Sequence, residues 1–89
     1  MDIEFDPVKD AANVAKHGVS MALAERICWP DVLCMPDSRC DYGELREIGF
    51  AVIDERLYVV VFVQRGEMMR IISLRKANRR EVKLYDEAI

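Results

Sequence analysis

The apolar and polar positions along the chain predict helices near its ends and sheet in its middle. Over Pro7–His17, Val8, Ala11, Ala12 and Ala15 recur at three- and four-residue spacing, which predicts one helix with that stripe turned to the core. Asp6 is placed to cap it and Pro7 suits its first position, while Lys16 and His17 fall in the last turn before Gly18. Ser20 predicts the cap of a second, short helix running to about Cys28 and closed by Trp29 and Pro30. Residues 3–5 read as a short strand, 32–35 as a loop or weak strand, and 36–43 as a polar stretch. Partial alternation predicts a strand over 44–53, and a continuous β-branched and aromatic run predicts another over 57–64. Asp54, Glu55 and Arg56 form the turn between them; Arg65, Gly66 and Glu67 mark the next turn, before a strand over 69–75. Asn78 with Glu81 three positions on reads as a capping box, opening a last helix whose Val82, Tyr85 and Ile89 share an apolar face.

Local hairpins between terminal helices predict an α+β domain: an antiparallel sheet of three to four strands, two N-terminal helices and one C-terminal helix. The 57–64 strand is apolar on both faces, so it must lie centrally or have one face covered by a partner.

Composition narrows this picture. With 89 residues, 52% of them hydrophobic and a net charge of −3, the chain has material for one core over 1–89 and is too apolar for disorder. Its longest apolar run, 57–63, is far short of the roughly 18 residues of a membrane span, and residues 1–4 lack the pattern of a secretory signal. A cytoplasmic protein without membrane association is expected. The cysteines agree: Cys28, Cys34 and Cys40 are odd in number, stand six residues apart, and match no ligand spacing with the single histidine, His17. Ordinary buried or half-buried thiols are expected, with no metal site and no cofactor.

The mean charge hides an asymmetry. Residues 65–83 hold seven basic and two acidic residues, net +5, and the remainder is net −8. Either the basic part meets an anion, or two oppositely charged surfaces pair within the fold or an oligomer.

Several words along the chain now combine. Glu4-Phe5-Asp6, Lys9, Asn13 and Lys16-His17-Gly18-Val19 are followed by Gly43-Glu44, Arg46 and Gly49. Arg65-Gly66, then Arg70-Ile71-Ile72-Ser73-Leu74-Arg75-Lys76-Ala77, and finally Glu81 and Tyr85 complete the set. In this order and spacing the sequence resembles the BrnT-type toxins over nearly its whole length. Leu74 stands where the family usually has alanine and Met21 where it usually has phenylalanine, and residues 28–41 match poorly. The resemblance implies a RelE-like fold and the toxic half of a bacterial type II toxin–antitoxin pair, an endoribonuclease that cleaves RNA and arrests growth. It implies a ribbon-helix-helix antitoxin as partner, contact with operator DNA only through that antitoxin, and a dimer within the toxin–antitoxin complex.

Metal-free RNA cleavage needs a proton acceptor for the attacking 2′-OH, stabilisation of a more negative transition state, and a proton for the leaving oxygen. Arginine suits the second task because it stays charged and grips phosphate oxygens in pairs. Arg75 and Arg46 are the first candidates, and Arg65 and Arg70 candidate RNA contacts; the alternative for each is a sheet arginine in solvent or paired with Glu44 or Glu47. Glu44, two residues from Arg46 on one face of the predicted strand, is either a general base or an ion-pair partner. His17 is either an acid–base group or a helix-end residue, and Tyr85 either contacts RNA or packs in the core. Lys76, Arg79 and Arg80 oppose the dipole at the last helix's start, which is explained if phosphate or an acidic partner lies nearby. A non-enzymatic protein-binding module and an inactive relative kept for operon regulation are the alternatives to the endoribonuclease.

Overall fold

The computed structural model describes residues 1–39 and 43–89. Among them, five strands form one sheet: β1 (Asp2–Glu4), β2 (Leu33–Pro36), β3 (Glu47–Ile53), β4 (Arg56–Arg65) and β5 (Met68–Lys76), in the order β1-β5-β4-β3-β2. The helices are α1 (Pro7–His17) and α2 (Arg79–Ala88), with 3-10 segments at Met21–Arg26 and Trp29–Asp31. The α+β class is as expected, and the details differ. Residues 33–36 pair with β3 as a full strand, and β1 joins β5 in parallel, so the sheet is mixed. The second predicted helix is the 3-10 segment Met21–Arg26, capped by Ser20. The strand predicted from residue 44 begins at Glu47, so Glu44 and Arg46 precede it and do not share a strand face.

β4 is the middle strand, and Leu57, Val59, Val61 and Val63 are as buried as Tyr58, Val60 and Phe62 on its opposite face. Its two apolar faces are therefore satisfied within the chain. One face carries the main core: Ala51, Ile53, Tyr58, Val60, Phe62, Ile71 and Leu74 pack with Met21, Ala24 and Ile27, and Trp29 sets its ring edge-on to Phe62 at 4.9 Å. α2 lies on the second face, its Tyr85 ring 6.1 Å from Phe50.

α1 is capped as its sequence predicts, by Asp6 accepting from the Val8 amide and by Gly18 in the left-handed region at φ 71°. Its predicted core stripe is corrected, because Val8, Ala11, Ala12 and Ala15 are exposed and the buried residue is Asn13. β1 covers β5 only at residues 68–70, leaving backbone groups farther along that edge to be satisfied. The Asn13 amide donates to the carbonyls of Leu74 and Val19, both at 2.8 Å, and its oxygen accepts from the Leu74 amide at 3.3 Å. One polar side chain thus stands in for a missing strand, and that requirement orients the helix. Asp10, one turn earlier, accepts from Ser20 Oγ and the Met21 amide and ties α1 to the next segment.

Candidate functional site

The site is organised by one irregularity in β5. Pairing runs Val59↔Arg75, Val60↔Leu74 and Val61↔Ser73, then shifts to Phe62↔Ile71 and Val63↔Arg70. Ile72 is the extra residue of a β-bulge. Strand alternation would send residues 70 and 75 to opposite faces; the bulge restores them to the same one. Arg70, Ser73 and Arg75 consequently form a row on the second face, opposite Val63, Val61 and Val59.

Each arginine in this row meets a carboxylate. Arg75 donates from Nη1 and Nη2 to the two oxygens of Glu81, at 2.8 and 2.7 Å. Glu81 belongs to the α2 capping box, its own amide held by Asn78 and its Oε1 accepting from the Asn78 amide. Hydrogen bonding to Arg75 holds the Glu81 carboxyl below the usual glutamate range, and the same bonds raise the Arg75 guanidinium. Arg39 stands close enough for its charge to oppose that of Arg75, while gripping the buried Asp37 through Nε and Nη2 at 2.8 and 2.7 Å. At the other end of the face, Glu4 lies 3.6 Å from Arg70 and 3.8 Å from Arg65, and Arg65 reaches Glu44 at 3.2 Å.

Where β5's edge meets α1, a groove of about 240 Å³ is lined by Lys9, Ala12, Asn13, Lys16, His17, Met21, Ile72 and Ser73. Partial burial, then the charges of Lys16 and Arg75, push the His17 imidazole below its ordinary value. The shift favours the neutral ring, the form able to accept a proton.

The structure thus brings Arg75, Ser73 and His17 to one part of the molecule, around the edge of β5. It separates Glu44 from them: the Arg65 end of the face lies about 20 Å from Arg75 at the usual strand rise. Arg46 is half-buried just ahead of β3, its carbonyl accepting from the Asp37 amide. Tyr85 faces Phe50 and lines a small cleft with Cys28, Asp31, Val32, Ala51 and Val52, on the β3 side of the sheet. Lys76 lies at the register of Tyr58, on the face opposite Arg75, and Arg79 and Arg80 are exposed at the start of α2. Lys9, Lys16 and Ser73 enter the sequence reading within the family's words and Arg39 not at all, and none of them is named there as a site candidate. The signal available for the lysines was their seven-residue spacing, which flanks Asn13 on one helical stripe.

Cys28 and Cys34 are exposed rather than buried or half-buried. Donation of a hydrogen bond to the Asp31 carboxylate raises the Cys28 thiol, and burial with the Glu47 charge raises Cys34, so both are held away from the reactive thiolate. Cys40 lies outside the described residues. Among the described residues no helix is long and apolar enough to cross a membrane.

A family model described as the ribonuclease toxin, BrnT, of type II toxin–antitoxin systems matches residues 5–81. The chain belongs to this family. The match includes Lys9, Asn13, His17, Ser73, Arg75 and Glu81, and ends before Tyr85. Membership in the BrnT family brings ribonuclease chemistry by family resemblance and an antitoxin as partner. No curated protein matches the chain significantly.

Proposed function

We propose that this protein is a metal-independent endoribonuclease, the toxin of its pair, which arrests growth until a ribbon-helix-helix antitoxin binds it. The observation that carries the reading is the bulge at Ile72, which aligns Arg70, Ser73 and Arg75 beside the groove holding His17. In this scheme the RNA 2′-OH attacks the adjacent phosphorus and gives its proton to His17. The bond from phosphorus to the 5′-oxygen breaks, leaving a 2′,3′-cyclic phosphate and a 5′-hydroxyl whose proton comes from water or the imidazolium. Arg75, held rigid on a strand, stabilises the added negative charge, with Arg39 near it. Arg65, Arg70, Arg79 and Arg80 serve as outlying RNA contacts, and a RelE-like ancestry is consistent with this layout.

The protein-binding half of the reading rests on apolar exposure. No residue of α2 is buried, Leu84 and Ile89 are exposed by 54% and 78%, and Leu33, Met35 and Val52 stand open on the same face of the sheet. Such residues suit an amphipathic antitoxin segment.

Purified protein incubated with RNA in EDTA tests the reading. Cleavage by the wild type, with loss of at least a hundredfold in rate for Arg75→Ala and His17→Gln, is expected. RNA left intact, or cut equally by Arg75→Ala, would overturn the assignment.

A further inference from the structure

We infer that the groove between α1 and the edge of β5 is a track for single-stranded RNA, in which Lys9 and Lys16 hold backbone phosphates beside His17 and Ser73. The choice of ligand rests on the ribonuclease reading; the site itself rests on the groove and on the cations that line it. Arg39, Arg65, Arg70 and Arg75 all face carboxylates within 4 Å. Among the described residues neither Lys9 nor Lys16 has an ion-pair partner, although both are exposed.

The reason lies in α1 itself. Its two nearby carboxylates are engaged elsewhere: Asp6 accepts from the first amides of α1, and Asp10 from the Ser20 hydroxyl and the Met21 amide. The lining of the groove holds Lys9, Lys16 and His17 and no carboxylate. Lys9 and Lys16 stand about 10 Å apart along the axis, a span matching phosphates one or two nucleotides apart. Asn13 and Ala12 between them are small enough to keep the groove open at about 240 Å³, room for a sugar-phosphate unit. On the opposite wall the bulge presents Ile72 and Ser73, an apolar surface and a hydroxyl, in place of a regular strand edge. An RNA strand laid along α1 would therefore approach His17 at the end of the track.

The test uses a fluorescent 2′-O-methyl RNA oligonucleotide, which cannot be cut because the attacking hydroxyl is blocked. Its affinity for the full chain is measured by polarisation over a salt series. Lys9→Ala/Lys16→Ala is expected to weaken binding at least tenfold at low salt and to flatten the logarithmic salt slope by about 1.4, two phosphates' worth for a single strand. The Lys9→Arg/Lys16→Arg protein should restore both. An unchanged affinity and slope in the double alanine protein would overturn the proposal, and would leave the lysines to an acidic protein partner. Failure of the ribonuclease reading looks different. A wild type that binds the blocked oligonucleotide through these lysines, yet leaves ordinary RNA intact, keeps the track and removes the enzyme.

Discussion

Arg75 and Glu81 face each other across the junction of β5 and α2, joined by two hydrogen bonds of 2.8 and 2.7 Å. The guanidinium is thus paired before any RNA arrives, and the same carboxylate completes the first turn of α2. A phosphate approaching Arg75 competes with Glu81, so the pair sets both the resting position of α2 and the affinity of the site.

Glu81→Gln separates these roles. It keeps a side chain able to cap but removes the charge; stability should fall by about 1 kcal/mol, read from urea unfolding. The apparent KM for RNA should fall several-fold as Arg75 is released. Because the Glu81 carboxyl is depressed in the folded protein, its contribution is present above the ordinary glutamate range. It is lost as pH falls through the lowered value, and the variant should show a flatter loss of stability with acid.

His17 predicts the acid limb of the cleavage profile. Its folded value lies below 6.5, so the rate should rise with pH through a midpoint under that figure and level off before neutrality. His17→Gln should abolish the limb along with the activity, whereas replacement of Lys16 by Gln should move the midpoint up. Rates on a short RNA between about pH 5 and 8 check both.

Asn13→Ala removes three hydrogen bonds at once and strands the backbone of Leu74 and Val19 in a buried place. A loss of about 2–4 kcal/mol is expected. Hydrogen exchange should quicken most at the Leu74 amide, which distinguishes this clasp from general loosening.

Two backbone positions predict effects of opposite sign. A Cβ at residue 49 would stand 2.6 Å from Val32 Cγ1 and 3.3 Å from both Phe62 and Val60, so Gly49→Ala should cost about 1–3 kcal/mol. Asp54 and Glu55 occupy the turn between β3 and β4 at φ 49° and 68°. Glu55→Gly relieves a left-handed side chain there and should stabilise by about 0.5–1 kcal/mol. Thermal unfolding of the two variants beside the wild type measures both.

What was legible in the sequence was local. Asp6, Gly18, Ser20 and the Asn78–Glu81 box act within a few residues, and the two-faced 57–63 run announces a central strand by composition alone. The parallel pairing of β1 with β5 and the clasp of Asn13 on Leu74 join residues over sixty positions apart, where no periodicity carries a signal. The stripe of Val8, Ala11 and Ala15 misled because small alanines gain little from burial, while unsatisfied strand-edge carbonyls cost more. Arg75, His17 and Glu81 were visible as residues, and Glu44 stood open as a partner for Arg65 and is one; the pairing of Arg75 with Glu81 depended on how α2 packs against β5.

The bulge at Ile72 also separates the pairing of β5 inside the sheet from the shape of its free edge. Deleting that one residue would leave four positions from Arg70 to Arg75, and plain alternation would then hold Arg70, Ser73 and Arg75 on the second face. Leu74 would stay opposite Val60 in the core and α2 would keep its side, while the groove beside α1 would lose Ile72 from its wall. What the extra residue supplies is thus confined to the strand's free edge, the wall that faces α1.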